Sequence, residues 1–361
     1  MSSDFSKYDI FPNAPVKRSL SPLEILGWSN FFASQIDLEA LSQTPPFRVV
    51  EVHRSGFHVV GEGLDAMIPP VAEATVGDWI LLDPERMVAE RVLDRRSVVK
   101  RPAPGTDRRL QLIAANIDTA FIVSSCNQDF NVARLERYLA LVFEAEISPV
   151  ILLTKSDLAE DVERYLGEAR AISDLVPVIA LDALKGQVSD KLSEWCKPGK
   201  TVAFLGSSGV GKSTLTNALI GAGTVETQGI REDDAKGRHT TTSRQLHVVD
   251  GGPLVLDTPG MRELQLSDVS SGIGDVFADL HELSQRCHFK DCGHLSEPGC
   301  AVLEALETGE IDEARVKRWR KLLAEEAFNS ASLQERRLKD KAFGKKVRKV
   351  IKGKADRKGG L

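Results

Sequence analysis

Residues 201–214 read Thr201-Val202-Ala203-Phe204-Leu205-Gly206-Ser207-Ser208-Gly209-Val210-Gly211-Lys212-Ser213-Thr214. An apolar, β-rich run enters a loop of the form G-x-x-x-x-G-K-[ST], and a helical pattern from Lys212 to Ile220 leaves it. Backbone N–H groups of such a loop, with the N-terminus of the following helix, surround the α- and β-phosphates of a nucleotide. Lys212 reaches the β- and γ-phosphates, and the Ser213 hydroxyl joins Mg²⁺. The four fixed positions recur by chance in roughly 1 of 100 chains this long, and fewer keep both flanks, so Gly206 to Thr214 reads as a phosphate loop rather than an ordinary Gly-rich turn.

Working outward, Leu254-Val255-Leu256 is followed by Asp257-Thr258-Pro259-Gly260. An acidic residue at the end of a neighbouring strand holds the magnesium ion, usually through water, and the Gly260 N–H can sense the γ-phosphate. Upstream, the apolar run Val150 to Leu153 delivers Thr154-Lys155-Ser156-Asp157. A carboxylate there accepts two hydrogen bonds from the N1–H and N2 amine of guanine, whereas adenine would leave it unpaired, so GTP is expected over ATP. A loop after a further apolar strand, Leu181-Asp182-Ala183-Leu184-Lys185-Gly186, could meet the base edge through its backbone amides. The guanine-reading loop precedes the phosphate loop, the reverse of the order in small GTPases, so the chain reads as circularly permuted. Whatever follows Gly260 is then tied to the segment that responds to the γ-phosphate.

Around these loops strands alternate with helical stretches (strand 119–123, helix 132–144, strand 149–153, helix 159–173, strand 177–181), which predicts a doubly wound, parallel α/β domain over 111–270. Short β-rich runs between 45 and 100, broken by glycines, predict a small barrel. One amphipathic helix, Pro22 to Leu41, is expected in the 1–44 extension, and Lys100 to Leu110 reads as a linker. A mostly helical module at 271–330 opens with Cys287, Cys292, His294 and Cys300, three thiolates and an imidazole that suit a closed structural zinc site, with His288 as an alternative ligand. Cys126 and Cys196 read as buried small residues.

The 361 residues carry a net charge of −5, yet the 331–361 tail holds 12 Lys and Arg against 3 Asp and Glu. A second basic stretch, Arg86 to Arg109, has 8 against 3. With His53, Arg54, Phe57 and His58 of the barrel, these make three elements suited to RNA, with a place in the core the equal alternative for Phe57. No run of 18 apolar residues occurs and the first fifteen do not form a secretory signal, so a cytoplasmic protein is expected.

Hydrolysis needs a group that orients water, and Met261 follows Gly260 where small GTPases place Gln. His239 is the candidate, with Thr240 or Thr241 as a magnesium or γ-phosphate ligand; contact with RNA or protein is the equal alternative for His239.

The arrangement resembles the circularly permuted, ribosome small-subunit-dependent GTPase A family. It does so through Val76-Gly77-Asp78-Trp79, Ala115-Asn116-Ile117-Asp118, Gly237-Arg238-His239-Thr240-Thr241-Thr242 and Asp257 to Leu264. The resemblance implies an OB-fold barrel, a permuted GTPase domain and a zinc module in which His294 rather than His288 is the ligand. It implies a GTP hydrolase, stimulated by the small ribosomal subunit, that acts late in that subunit's maturation and leaves on hydrolysis. A monomer binding ribosomal RNA, GTP or GDP and no membrane is the expected form. Thr154 stands where many GTPases carry Asn, and Asp182 where Ser usually precedes Ala. The competing readings are an RNA-binding scaffold with GTP as structural ligand and a P-loop ATPase without an RNA role.

Overall fold

A computed structural model of the chain describes residues 19–53, 55–102, 110–221, 244–257 and 268–330. The single helix expected over 22–41 is instead three short ones: α1 (Pro22–Ile25), α2 (Asn30–Ala33) and α3 (Leu38–Gln43). Ser21 and Glu24 form a capping box that starts α1, and Gly27, at φ +92°, turns the chain after it in a conformation that other residues rarely adopt. The apolar face still packs. Leu26 and Phe32 are buried, and Trp28 meets Trp79 edge-on at 4.8 Å.

Strands β1 (Pro46–Val52), β2 (Phe57–Gly61), β3 (Leu64–Ile68), β4 (Trp79–Asp83) and β5 (Val88–Val92) pair antiparallel in the order β3-β2-β1-β4-β5. Phe47, Val49, Phe57, Val59, Ile68, Ile80 and Leu82 fill the interior of this unit. Of the linker expected at 100–110, Lys100–Pro102 complete β6 (Val98–Pro102), which pairs with β7 (Leu110–Ala115), and 103–109 lie outside the described residues. Pro102 ends β6, where its missing N–H costs least.

The α/β part follows the sequence expectation closely. Its strands are β8 (Thr119–Ser125), β9 (Ser148–Thr154), β10 (Val178–Ala180), β11 (Thr201–Leu205), β12 (Arg244–Val248) and β13 (Leu254–Asp257). The order β10-β9-β8-β11-β13 is parallel throughout. Alternate residues serve opposite faces. Phe121, Val123, Val202 and Phe204 pack with α6 (Val188–Lys191) and α7 (Lys212–Ile220), while Ala120, Ile122, Ala203 and Leu205 face α4 (Val132–Glu144) and α5 (Val162–Arg170). On that second face lie α8 (Ser270–Val276), α9 (Ala278–Gln285), α10 (Ala301–Glu307) and α11 (Glu313–Ser330).

Strand β12 is antiparallel to β13 and also pairs with β1 through Glu51↔Gln245 and Val52↔Arg244, which joins the two units in one sheet. Fully buried Arg48 reinforces the junction, donating to Leu26 O (3.2 Å), Asn116 O (3.1 Å) and Thr201 Oγ1 (3.2 Å). Burial lowers its guanidinium to about 10. The motifs Val76 to Trp79 and Ala115 to Asp118 meet here as well. Asn116 Nδ2 donates to Gly77 O at 2.9 Å, and buried Asp78 pairs with Arg95 at 2.7 Å.

Candidate functional site

In a parallel sheet every strand ends at the same edge, so the loops after β9, β10 and β11 and the last residue of β13 gather there. That edge holds Thr154 to Asp157, Asp182 to Gly186, Gly206 to Thr214 and Asp257, which the sequence scatters over about a hundred positions.

Gly206 leaves β11 at φ +145°, and a Cβ there would sit 2.3 Å from Val123 O, so only glycine lets the loop pass this close to β8. Gly209 and Gly211 also have positive φ, and α7 begins at Lys212 with its first N–H groups facing the loop. The Lys212 ammonium donates to Ser207 O, folded back over the loop it serves. Arg134 of α4 donates to the Ser207 hydroxyl at 2.9 Å, a contact that sequence reasoning missed because nothing local relates positions 134 and 207.

Thr154 is buried, and its hydroxyl lies 2.7 Å from Val210 O and 3.1 Å from Ser124 O. The residue that departs from the common Asn thus bonds the 154–157 loop to the phosphate loop. Lys155 adopts a left-handed conformation at φ 56°, and Ser156–Leu158 form one turn of 3₁₀ helix that leaves Asp157 exposed. The Asp182 carboxylate is engaged locally: it accepts from Leu184 N at 2.9 Å and pairs with Lys185 at 3.3 Å. Asp257 ends β13 opposite Gln245 of β12. His239, Thr240, Thr241, Gly260 and Met261 lie outside the described residues, as do Arg54 and the 331–361 tail.

The sulfur atoms of Cys287, Cys292 and Cys300 and a ring nitrogen of His294 all lie within 4.8 Å of one another, a possible metal site. Cys287 Sγ and Cys300 Sγ are 3.8 Å apart, and each is 3.5 Å from His294 Nδ1. Burial raises the Cys287 thiol most, but N–H groups of Ala301 and Val302 together with the Cys300 and Cys292 thiols hold the group below its ordinary range. His288 turns aside to meet Phe289, ring centroids 4.7 Å apart, while His294 lies against Trp319 at 5.2 Å. Cys126 is buried and Cys196 half-buried, its thiol pushed up to about 12 by burial.

Of the residues expected to face RNA, one is internal and several cations are paired within the chain, Arg91 and Arg96 while still exposed. Phe57 belongs to the core of the five-stranded unit, because β2 alternates inward at that position. Arg95, Arg96 and Arg91 of the basic stretch are engaged by Asp78, Asp118 and Gln35 O. His53 pairs with Glu51 at 3.2 Å, and His58 with Asp65.

Comparison with known proteins settles the lineage. The RsgA GTPase family model matches residues 92–267. A small ribosomal subunit biogenesis GTPase, RsgA 2 of Vibrio parahaemolyticus, is 46% identical over 340 residues, covering 93% of this chain and 95% of its own. The chain belongs to the RsgA GTPase family. A second RsgA, from Mesorhizobium japonicum, is 48% identical over 324 residues, covering 87% of this chain and 93% of its own. Among solved structures, YjeQ from Thermotoga maritima matches with a TM-score of 0.59 at 29% identity, over 78% of this chain and 97% of its own. YloQ, described as a circularly permuted GTPase, gives 0.54 at 26%, over 78% and 94%. An ABC transporter model also matches, at residues 189–352. That span includes the phosphate loop, which unrelated nucleotide-binding functions share, whereas the RsgA relatives match nearly end to end. Membership in the RsgA family makes the chain a GTPase.

Proposed function

We propose that this chain hydrolyses GTP as a late maturation factor of the small ribosomal subunit, docking on the subunit with GTP bound and leaving after hydrolysis. The carrying observation is the convergence of Gly206–Thr214, Thr154–Asp157 and Asp257 on one sheet edge, with Thr154 bonded to Val210 O. In this reading the Asp157 carboxylate accepts the guanine donors, with Lys155 and Ser156 shaping its loop, and exposure leaves that carboxylate ready to bind. The N–H groups of 209–214 receive the phosphates, and Lys212 exchanges Ser207 O for phosphate oxygens.

Ser213, Thr240 or Thr241, and Asp257 would hold Mg²⁺, which supplies charge neutralisation on the phosphates. Gly260 reports the γ-phosphate, and His239 orients the attacking water once the subunit has docked. The loop at 182–186 meets the base edge through backbone amides, since the Asp182 side chain is engaged locally.

The donor set at Cys287, Cys292, His294 and Cys300 fits zinc. Tetrahedral bonds of about 2.3 Å to sulfur and about 2.05 Å to nitrogen space the ligand atoms about 3.8 and about 3.6 Å apart. The Cys287 and Cys300 thiols stand 3.8 Å apart and each 3.5 Å from His294 Nδ1, with all four donor atoms within 4.8 Å of one another. Zinc there would stabilise a segment with little core of its own. The strand order β3-β2-β1-β4-β5 supports an OB-fold at 45–100, ahead of a permuted GTPase domain at 111–270 and the zinc module at 271–330. The exposed cations Arg86, Arg91, Arg96 and Lys100, together with the 331–361 tail, would meet ribosomal RNA. No described helix is long and apolar enough to cross a membrane; the chain acts in the cytoplasm as a monomer.

The test is steady-state GTP hydrolysis by the zinc-replete protein alone and with purified small or large subunits. Stimulation selective for the small subunit is expected and should vanish in His239→Ala. Tight GTP binding without stimulation would instead favour an RNA-binding scaffold.

A further inference from the structure

Helix α4 is bonded at one end to the phosphate loop and along its side to the C-terminal module. Arg134, near its start, donates to Ser207 Oγ at 2.9 Å and to Asp129 O at 3.4 Å, while Lys212 donates to the carbonyl of that same Ser207. Two residues on, fully buried Glu136 accepts from Arg318 Nε through both oxygens, at 3.0 and 2.8 Å, and lies 3.9 Å from Arg315. Arg137 pairs with Glu325 at 2.6 Å. Arg315 is itself held by Asp279 of α9 at 2.9 Å and by Val276 O of α8 at 3.1 Å.

A single exposed contact such as Arg134 to Ser207 would be a minor detail. Here it sits within one turn of a hydrogen-bonded helix from Glu136 and Arg137, so the three side chains move as one body. A buried carboxylate that lost its cations would be left with an uncompensated charge, so α4 and α11 cannot slide past each other smoothly. We propose that α4 is a strut through which the C-terminal module sets the phosphate loop. Arg134 is the positioning residue at the loop, and Glu136 with Arg137 is the footing on α11. The proposal rests on the reading of Gly206–Thr214 as the GTP-phosphate site. Because coupling between sites is reciprocal, a partner that shifts α11 would alter nucleotide affinity, and nucleotide would stabilise the packing of α11 by the same factor.

The experiment titrates fluorescent GDP into the zinc-replete full chain and into Arg134→Ala, Arg134→Lys, Glu325→Ala and the Arg134→Ala/Glu325→Ala double variant, with nucleotide-free melting as a control. Arg134→Ala should weaken GDP binding about 5-fold, at the lower end of ordinary coupling, with little change in the nucleotide-free midpoint. Lysine, which keeps a donor, should restore most of the loss. Glu325→Ala should weaken binding about 2-fold, and the double variant should bind no more weakly than Arg134→Ala, since the strut is already cut. GDP should slow amide exchange in α11 of the wild type but not of Arg134→Ala. Losses that multiply in the double variant, or wild-type GDP affinity in Glu325→Ala, would overturn the proposal while leaving the nucleotide site intact. A wild-type chain that bound no guanine nucleotide would remove that site, and the proposal with it.

Discussion

Thr154 shows what a single hydroxyl can settle. Buried and 2.7 Å from Val210 O, it fastens the 154–157 loop to the Gly206–Thr214 loop, a task that its position in T-K-x-D does not reveal. Thr154→Val keeps the volume but leaves the carbonyl short of a donor, and should cost about 1–2 kcal/mol in urea unfolding and weaken GTP and GDP alike. Asp157→Asn acts differently. With one carboxylate oxygen replaced by an amine, guanine meets a donor where it needs an acceptor, so GTP affinity should fall by roughly a hundredfold or more with ATP unaffected by calorimetry. Both residues were legible as a motif, because a strand followed by a polar loop is a local pattern. Arg134 was not, since its partner Ser207 lies on another strand's loop and only folding brings them together.

Strand β12 is the element on which the junction of the five-stranded unit and the α/β sheet depends, pairing with β13 on one side and β1 on the other. Its His247 is held below the ordinary imidazole value by burial, against the pull of Asp257 and Glu51. Neutral imidazole is therefore favoured in the folded state. Its contribution to stability is full above the unfolded value of about 6.5 and is lost as pH falls through the lower folded value. His247→Gln should flatten the difference in urea midpoint between pH 7 and pH 5 that the wild type shows. The metal cluster offers a second readout at this scale. Because His294 lies 5.2 Å from the ring of Trp319, chelation should shift tryptophan emission and lower helicity, and the emission change should be absent in Trp319→Phe. The cluster could be read from spacing, since its donors fall within fourteen residues and need no tertiary partner, whereas spacing left His288 and His294 as alternatives and the fold brings His294 to the three thiols. The breaks among α1, α2 and α3 could not be read from the apolar pattern alone, because Leu26 and Phe32 take their places against Trp79 of a distant strand.

At the scale of the whole molecule, charge is unevenly shared: the tail carries 12 cations against 3 anions in a chain of net −5. If the tail supplies phosphate contacts, removing 331–361 should reduce the slope of log affinity for the small subunit against log salt by several units, with hydrolysis in the absence of the subunit unchanged. The sequence by itself determined the permuted order of the loops, the alternation that makes a doubly wound sheet and the Cys/His cluster that could hold a metal, because each is written in local spacing or in periodicity along the chain. Tertiary structure alone decided that Phe57 is core, that Arg95 and Arg96 pair with Asp78 and Asp118, and that β12 fuses two units into one sheet. The physical reason is common to all three: burial, charge pairing and strand partnership are properties of neighbours in space, and those neighbours lie tens to hundreds of residues away along the chain.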